Sequence, residues 1–452
     1  MPKQLNVKNF ILKMLGKTGS VRKRLLVVAA GTFGVRIANI GFTFIISILL
    51  ARFLGASDFG FYTYIITCAY LLGVPATLGL ETLLVREIAT YKNQENWNLM
   101  GGLLHWSQRL ALGFSVGLAL SALAVASLFW TFTDASKFLA FCIAMTFLPI
   151  ASLRNIKRGV MRGLDRVVMG LLPEMLIVPI VQLAVTGLAY LFLKERLTLP
   201  LIIAIYVFAA GVSAIASTVL AQRIMLSSVI KANYQYQIKR WFSSSLIFMC
   251  LESIYYISPL IDMLMLGWLK NMMVVGIYYP VNRGAQLITW IPLAANTALA
   301  PALVKLYVEG DRVQLQKLMT KSARLVFLVA LLASAILIGL SHWYLLLFGA
   351  EFVQGKKALI ICCIGQLFGT GTGSSDMLLN MTGHEKYVTM NASATAVLNV
   401  TLNLLLIPKW GIEGAALAST ISAILMNIVS AIIVCQKLGI YSTIFGTKFK
   451  TI

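Results

Sequence analysis

The stretch Gly60-Phe61-Tyr62 lies at the start of an apolar run, and it recurs as Gly276-Ile277-Tyr278 nearly half a chain later, at an offset of 216 residues. A second echo joins residues 163–168 to residues 383–388, at an offset of 220. Pro75 and Pro292 occupy matching points of their apolar runs, 217 residues apart. A repeat of this period, carried by hydrophobic segments, predicts a duplicated membrane bundle.

The composition places both copies of the repeat in a membrane. Of the 452 residues, 59% are hydrophobic and 12% are charged, and the mean hydropathy is +0.84. Ordinary globular domains are about 25% charged, so the apolar excess is expected to face lipid. The six cysteines have no metal or redox spacing and the three histidines are scattered, so the sequence predicts no metal site and no cofactor.

Apolar runs long enough to cross a bilayer, about 20 residues each, occur twelve times. We therefore predict an all-α polytopic membrane protein, with 12 transmembrane helices in two parallel six-helix repeats around a central cavity. The predicted divisions are a cytoplasmic amphipathic segment at 1–24, a bundle at 25–226, a cytoplasmic linker at 227–240, a second bundle at 241–438 and a cytoplasmic tail at 439–452. Each half has an even number of spans, so both halves have the same orientation.

Basic residues predict that orientation. With the N-terminus inside, 27 of the 38 Lys and Arg fall on the inner side and 8 on the outer side. The connection after a fourth span at 137–153 contributes five of them, Arg154, Lys157, Arg158, Arg162 and Arg166. This bias predicts that both termini are cytoplasmic. The net charge of +22 is then mainly a topology signal, and the chain has no folded basic domain that would indicate nucleic-acid binding.

Two polar stripes run along otherwise apolar spans. In the first span, Arg36 and Asn39 belong to a stripe with Thr32, Thr43 and Ser47 at helical spacing. An ionised side chain in the middle of a bilayer costs about 2.5–3.5 kcal/mol or more, so this stripe faces protein. It lines a cavity, or it forms a helix–helix interface in which Arg36 is tied to a neighbour.

The eighth span carries the second stripe. It contains Tyr279, Asn282, Arg283 and Gln286. Arg283 has no acidic residue within one turn of its own helix, so it is either a candidate ligand for an anion or a partner in a cross-helix ion pair. We predict that these four residues, with Arg36 and Asn39, line the binding cavity.

Four acidic residues within spans are candidates for gating or coupling. They are Glu174, Glu252, Asp262 and Asp376. The offset of 216 relates Arg36 to Glu252, which suggests a cross-bundle ion pair that a bound diphosphate could displace. The eleventh span also carries Asn399 and Asn403, for which interhelical hydrogen bonding and substrate contact are both open.

The order of several motifs resembles one family. Leu50-Ala51-Arg52-Phe53-Leu54-Gly55-Ala56-Ser57-Asp58-Phe59-Gly60-Phe61-Tyr62 opens the second span, and Leu78-Gly79-Leu80 with Leu84-Val85-Arg86-Glu87 follows. Ile261-Asp262-Met263-Leu264-Met265-Leu266-Gly267 and Gly411-Ile412-Glu413-Gly414-Ala415-Ala416-Leu417-Ala418 lie in the second half. Over essentially its whole length, the chain resembles polysaccharide flippases of the multidrug/oligosaccharidyl-lipid/polysaccharide exporter superfamily.

This resemblance implies two bundles in a V shape and alternating access in the bacterial inner (plasma) membrane. The implied substrate is an oligosaccharide repeat unit on undecaprenyl pyrophosphate, moved to the outer leaflet for O-antigen or another surface polysaccharide. In related lipid flippases, arginines of the first and eighth spans hold the pyrophosphate, and Arg36 and Arg283 match these places by segment. A glycan polymerase and a chain-length regulator are compatible partners.

Two other functions are weighed against this one. A multidrug or toxin exporter of the same superfamily would favour an acidic cavity for cationic drugs, whereas the polar stripes of the first and eighth spans both carry arginine. A membrane glycan polymerase would need carboxylate or histidine groups on a sizeable loop outside the membrane. The outward connections are only about ten residues long on the predicted span boundaries, so we expect a transporter and not an enzyme.

Overall fold

A computed structural model describes residues 20–129, 135–193, 197–225, 229 and 233–446. Most of the predicted amphipathic segment at 1–24, and the end of the predicted tail, lie outside these residues. The described residues form helices joined by turns, and no β-strand occurs among them.

The helices of the first half begin with α1 and end with α8. Their bounds are α1 Ser20–Ala76, α2 Leu80–Asn93, α3 Trp97–Phe129, α4 Ala135–Met145, α5 Phe147–Gly163, α6 Val167–Leu172, α7 Val178–Leu193 and α8 Leu199–Ile224. A π-helical turn, Pro173–Ile177, joins α6 to α7. Pro173 has no N–H to donate to the helix ladder, and such a break is what a proline inside a span causes.

The helices of the second half begin with α9 and end with α16. Their bounds are α9 Ile238–Ile257, α10 Ile261–Leu269, α11 Met272–Glu309, α12 Arg312–Gly339, α13 Ser341–Leu346, α14 Lys356–Gly371, α15 Ser375–Met381 and α16 Glu385–Leu438. Single 3₁₀ turns at Ser258–Leu260 and Ala350–Gly355 precede α10 and α14.

The longest helices each contain two spans. With 57 residues, α1 would be about 85 Å long as one rod, whereas the hydrocarbon core of a bilayer is about 30 Å thick. The chain breaks at Gly55, with φ of 70°, and α16 breaks at Gly411, with φ of 56°. Among the described residues, nine helical segments, or ten with the bent α11, are long and apolar enough to span, and two of them are double. The prediction of twelve spans is confirmed.

The echoed glycines meet each other. Gly60, near the start of the second span, lies against Gly276, near the start of α11: a Cβ on Gly60 would be 1.7 Å from the Met272 oxygen, and one on Gly276 would be 2.1 Å from the Ala56 oxygen. Only residues without a side chain permit this approach of two backbones. The positions related by the repeat therefore face each other between the two halves.

Two further contacts join the halves at this end of the molecule. The Arg52 Nε donates to the Leu347 oxygen at 2.7 Å, and the Ala56 N–H donates to the Glu351 Oε2 at 3.0 Å. The second contact places a carboxylate of the second half on a backbone N–H at the beginning of the second span, where helix N–H groups lack partners. We call this end, where Gly60 meets Gly276, the closed end.

The seventh span is divided between the two halves. Its α9 segment packs on the first half, where the Trp241 Nε1 donates to the Tyr91 hydroxyl at 2.9 Å and Trp241 is buried in the same apolar cluster as Leu83 and Leu84. Its α10 segment packs mainly on α11 and α16, and it also contacts α1, where the Thr67 hydroxyl lies 3.8 Å from the Met263 sulfur. The 3₁₀ turn Ser258–Leu260 separates the two segments, so a break inside one span lies where its packing partners change.

Candidate functional site

The two predicted polar stripes face each other across the halves. The Ser47 hydroxyl of the first span lies 3.3 Å from the Tyr279 hydroxyl of α11. From Tyr279 the hydrogen bonds continue along α11: the Arg283 Nε donates to the Tyr279 hydroxyl at 3.0 Å, and the Gln286 Nε2 donates to the Asn282 Oδ1 at 3.3 Å. The structure thus brings the four stripe residues of the eighth span together with the stripe of the first.

Arg283 is the cation of this group. Its guanidinium carbon lies 5.1 Å from the centre of the Tyr279 ring, and its Nη1 is 3.4 Å from the Gln286 Oε1. The side chain is exposed, and no carboxylate pairs with it in the described part of the chain. Neutral neighbours hold the guanidinium in place and leave its charge uncompensated, so it retains donors for an anion.

Arg36 lies on the facing stripe, further from the closed end. The side chain is half-buried, and its Nε is buried with no hydrogen-bond partner among the described residues. At 1.5 Å per residue, Arg36 is roughly 16 Å and Arg283 roughly 6 Å from the Ser47–Tyr279 contact along their helix axes. Both arginines lie on the same side of that contact, because the first span runs toward the closed end and α11 runs away from it.

The suggested ion pair between Arg36 and Glu252 is wrong for this structure. The Glu252 carboxylate accepts a hydrogen bond from the Thr82 hydroxyl at the beginning of α2, and no ion pair to Arg36 occurs in the described residues. The first span instead packs on α6 around this depth, where Gly31 lies next to Val168. The repeat relates the two positions in sequence, but their helices have different neighbours.

Asn39 has a hydrogen-bond partner on another span, and this bond accounts for a polar side chain at its position. Its Nδ2 donates to the Met175 oxygen at 2.8 Å, inside the π-helical turn at which the fifth span is broken. A similar bond joins the Ser213 hydroxyl to the Pro173 oxygen at 2.7 Å. Backbone carbonyls released by a break within the membrane must find donors. Asn39 therefore braces the first span against the fifth, although it lies on the predicted cavity stripe.

Glu174 belongs to a network of ion pairs that the sequence did not predict. It pairs with Arg154, at 3.1 Å, and with Arg158. Arg158 also pairs with Glu81, which in turn accepts from Arg162 at 2.8 Å. Three guanidinium groups thus face two carboxylates, and Arg154 is almost fully buried, with 3% of its side chain exposed.

This network corrects the predicted end of the fourth span. The sequence predicts a connection after residue 153 that contains Arg154, Arg158 and Arg162, whereas α5 continues to Gly163 in the structure. Their spacing of four places them on one helix face, and this spacing was the available signal. The role of Glu81 depends on its contact with Arg158 and Arg162 of α5, and the spacing of residues along its own helix does not indicate that neighbour.

Asp262 is buried and has four donors around its carboxylate. The Tyr278 hydroxyl donates to Oδ2 at 2.8 Å, and the Asn403 Nδ2 donates to Oδ1 at 2.8 Å. Asn399 donates to Oδ1 at 3.4 Å, and the Ser419 hydroxyl also donates to Oδ2. These bonds join α10, α11 and both spans of α16. Of the two readings left open for the asparagines of the eleventh span, interhelical hydrogen bonding is the one observed.

Asp376 lies in a small polar cavity inside the second half. The cavity has a volume of about 180 Å³. Its polar lining comes from α11, α14, α15 and the last span of α16, with Thr289, Asn296, Gln366, Thr370, Ser374, Ser375, Asp376 and Asn427. The Asp376 Oδ1 is buried and has no hydrogen-bond partner among the described residues. In the same residues, no group of three or more His, Cys, Asp or Glu could hold a metal ion.

Solved structures of transporters share this fold. An inward-facing multidrug resistance MATE family transporter of the MOP superfamily matches with a TM-score of 0.70, at 13% identity over 89% of this chain and 98% of its own. The lipid II flippase MurJ in an inward closed conformation matches with a TM-score of 0.68, at 15% identity over 90% of this chain and 87% of its own. An outward-facing MATE transporter gives 0.57, at 12% identity over 92% and 96%.

Family models give a closer assignment than these distant structures. No curated protein matches the chain at a significant level. A model described as MatE matches residues 245–405. A model described as polysaccharide biosynthesis protein matches residues 29–307, which is more than half of the chain. The chain is a multi-pass membrane protein and belongs to the polysaccharide biosynthesis protein family.

Proposed function

We propose that this protein is a flippase that moves undecaprenyl-pyrophosphate-linked oligosaccharide repeat units from the cytoplasmic to the outer leaflet by alternating access. The observation that carries the proposal is the pair Arg36 and Arg283, which come from opposite halves, lie on facing stripes and have no acidic partner in the described residues. A diphosphate is the anion that two such arginines fit, because the guanidinium fork matches phosphate oxygens in a bidentate way.

The surrounding groups suit the rest of such a substrate. Asn282 and Gln286 supply amide donors and acceptors next to Arg283, and Tyr279 supplies a ring and a hydroxyl. Sugars need both kinds of group, whereas the polyprenyl tail needs only lipid. The lipid substrate named for one structural neighbour, the lipid II flippase MurJ, supports the proposed substrate class.

The halves touch at the closed end, which supports an inward-facing state. The glycine contact and the contacts of Arg52 and Glu351 all lie there. The match to the inward-facing transporter, at 0.70, is better than the match to the outward-facing one, at 0.57. Together with the excess of basic residues on the inner side, this supports both termini in the cytoplasm and a location in the bacterial plasma membrane.

Of the four acids considered for coupling, Asp376 is the one whose carboxylate has a buried oxygen without a hydrogen-bond partner among the described residues. Glu174 is paired with arginines, Asp262 has four donors and Glu252 accepts from Thr82. The Asp376 Oδ1 has no partner and borders a polar cavity. We assign coupling to Asp376 and gating to Glu174 and Glu252, which tie helices at the end where the first span begins.

Removal of the arginines tests the proposal. In a strain that lacks the gene, a plasmid copy with Arg36→Ala or Arg283→Ala should fail to restore surface polysaccharide, although the protein reaches wild-type levels in the membrane. Arg223→Gln is the matched control, because Arg223 is an exposed arginine at the end of α8, away from both stripes. Wild-type polysaccharide from both alanine variants would refute the assignment.

A multidrug exporter of the same superfamily is the second candidate, and the match of residues 245–405 to MatE favours it. A cationic drug would need acidic groups at the facing stripes, where this chain has arginine. Loss of the gene should then leave susceptibility to cationic drugs unchanged and cause the lipid-linked repeat unit to accumulate, which mass spectrometry of extracted lipids detects. Hypersensitivity to drugs without accumulation would favour the exporter.

A further inference from the structure

A second cleft opens on the outside of the first half, at the end where the first span begins. It has a volume of about 440 Å³ and is lined by His105, Trp106, Arg109 and Leu110 of α3 and by Tyr236 and Ile238 at the beginning of α9. The cleft is separate from the facing stripes, because none of its lining residues belongs to the first or the eighth span.

Backbone packing fixes one wall of this cleft. The segment 233–237 lies directly on α3, where the Gln235 N–H donates to the Asn98 oxygen at 3.1 Å. A Cβ on Gly102 would be 1.9 Å from the Gln235 oxygen, so only glycine permits this approach. Tyr236 is then held over α3, and its hydroxyl shares a hydrogen bond of 3.1 Å with the His105 Nδ1.

Arg109 is the uncompensated charge of the cleft. Its side chain is exposed and has no hydrogen bond or ion pair in the described part of the chain. The residues that follow on the same face of α3 are apolar and exposed: Leu112, Val116 and Leu120, at 37%, 44% and 62%. This exposed apolar face contacts lipid, so Arg109 lies at one end of a lipid-facing stripe.

The length of the helix places Arg109 at a membrane boundary. From Arg109 to the end of α3 at Phe129 there are 20 residues, or about 30 Å of helix, which is the thickness of the hydrocarbon core. The guanidinium and the His105 ring are therefore at the level of lipid headgroups, with Trp106 and Tyr236 beside them. Trp and Tyr are the side chains typical of this level.

We propose that this cleft binds the phosphodiester headgroup of an anionic phospholipid from the leaflet at this end of the molecule. Arg109 and His105 contact the phosphate, Trp106 and Tyr236 contact the glycerol region, and an acyl chain follows Leu112 and Val116. Basic clefts between helices at the membrane surface are suited to such headgroups. The continuous apolar stripe that follows Arg109 on α3 favours a lipid, because an acyl chain can contact this stripe and a free phosphate ion cannot.

Native mass spectrometry of the purified protein with phosphatidylglycerol or phosphatidylcholine tests this site. Arg109→Gln should weaken the binding of phosphatidylglycerol about fivefold, the effect of one basic residue near a membrane surface. It should weaken the binding of phosphatidylcholine less, because the choline ammonium offsets the charge of the same phosphodiester. Arg223→Gln, which removes one exposed arginine elsewhere, should change neither. Gly102→Ala should weaken phosphatidylglycerol binding with Arg109 still present, because it displaces the wall that carries Tyr236.

Two outcomes would overturn the proposal. Equal losses from Arg109→Gln and Arg223→Gln would show that phosphatidylglycerol responds to total charge and not to this cleft. The second outcome is that excess inorganic phosphate displaces the lipid and that Arg109→Gln weakens phosphate binding as much as lipid binding. This result would assign the cleft to a soluble anion. Because neither measurement involves polysaccharide transport, their failure is distinguishable from failure of the proposed function.

Discussion

Replacement of Gly60 by alanine should hold the two halves apart at the closed end. The new Cβ would be 1.7 Å from the Met272 oxygen and 2.8 Å from the Gly276 nitrogen, so α11 would have to move away from the second span by more than 1 Å. Both obstructing atoms belong to the backbone, which has no rotamer to change. Overpacking of a tight contact costs about 1–3 kcal/mol. This cost would destabilise only the conformation in which the two halves meet at the closed end.

A bias of this size would change the populations measurably. A difference of 1–3 kcal/mol between two states corresponds to a shift of about 5- to 150-fold. Spin labels at Ser57 and Met273, which are exposed and lie on opposite halves, would report the separation at the closed end by pulsed electron paramagnetic resonance, in a background without the native cysteines. Gly60→Ala should lengthen the main distance.

Gly73→Ala is the matched control for this experiment. Gly73 lies in the same span as Gly60, and a Cβ there would meet no atom within 4 Å. The control should keep the wild-type distance distribution, since it makes the same chemical change without the collision. A Gly60→Ala distribution identical to that of Gly73→Ala would refute the reasoning, because it would show that the contact does not limit how closely the halves approach.

Three further substitutions have expected costs that follow from their contacts. Arg158→Gln should lower the free energy of unfolding by about 3–5 kcal/mol, because it removes the cation shared by the buried Glu81 and the half-buried Glu174, whereas Arg162→Gln at the exposed edge should cost about 0–1 kcal/mol. Thermal melting of the two purified variants compares them, and equal melting temperatures would contradict the prediction. Gly102→Ala should expose the segment before α9 to chymotrypsin, which cleaves after Tyr234 and Tyr236, and Gly113→Ala should not, since only the first collides with backbone. Asp262→Ala should cost about 1–3 kcal/mol for each donor left without an acceptor, and a melting temperature within error of wild type would show that the donors find other partners.

The features predicted correctly from the sequence depend on hydrophobicity and on the repeat. Twelve spans follow from apolar length, and the echoed glycines, which the structure places in contact, follow from the offset of 216. The stripe of Tyr279, Asn282, Arg283 and Gln286 follows from helical spacing, which alone decides which residues of one helix are neighbours. The predicted roles of these residues and the predicted domain boundaries stay predictions.

The features that could not be predicted depend on which helices are neighbours. Asn39 and Arg36 occupy one stripe, yet Asn39 donates to a carbonyl released by the break at Pro173, a partner 136 residues away. The sequence predicts that Arg158 lies outside the fourth span, because a charge usually ends a span, whereas carboxylates from α2 and from the π-helical turn allow α5 to continue. Partner identity is a property of tertiary packing, and single-helix periodicity contains no information about it.

The contact of Gly60 with Gly276 also bears on the history of the chain. In a symmetric dimer of identical subunits, a residue on the two-fold axis touches its own copy, and these two glycines occupy the same position of their respective repeats. The contact therefore has the geometry of an isologous dimer interface preserved inside one polypeptide. In a pair of identical six-span units joined by this contact, one substitution at the glycine would introduce two colliding side chains at once.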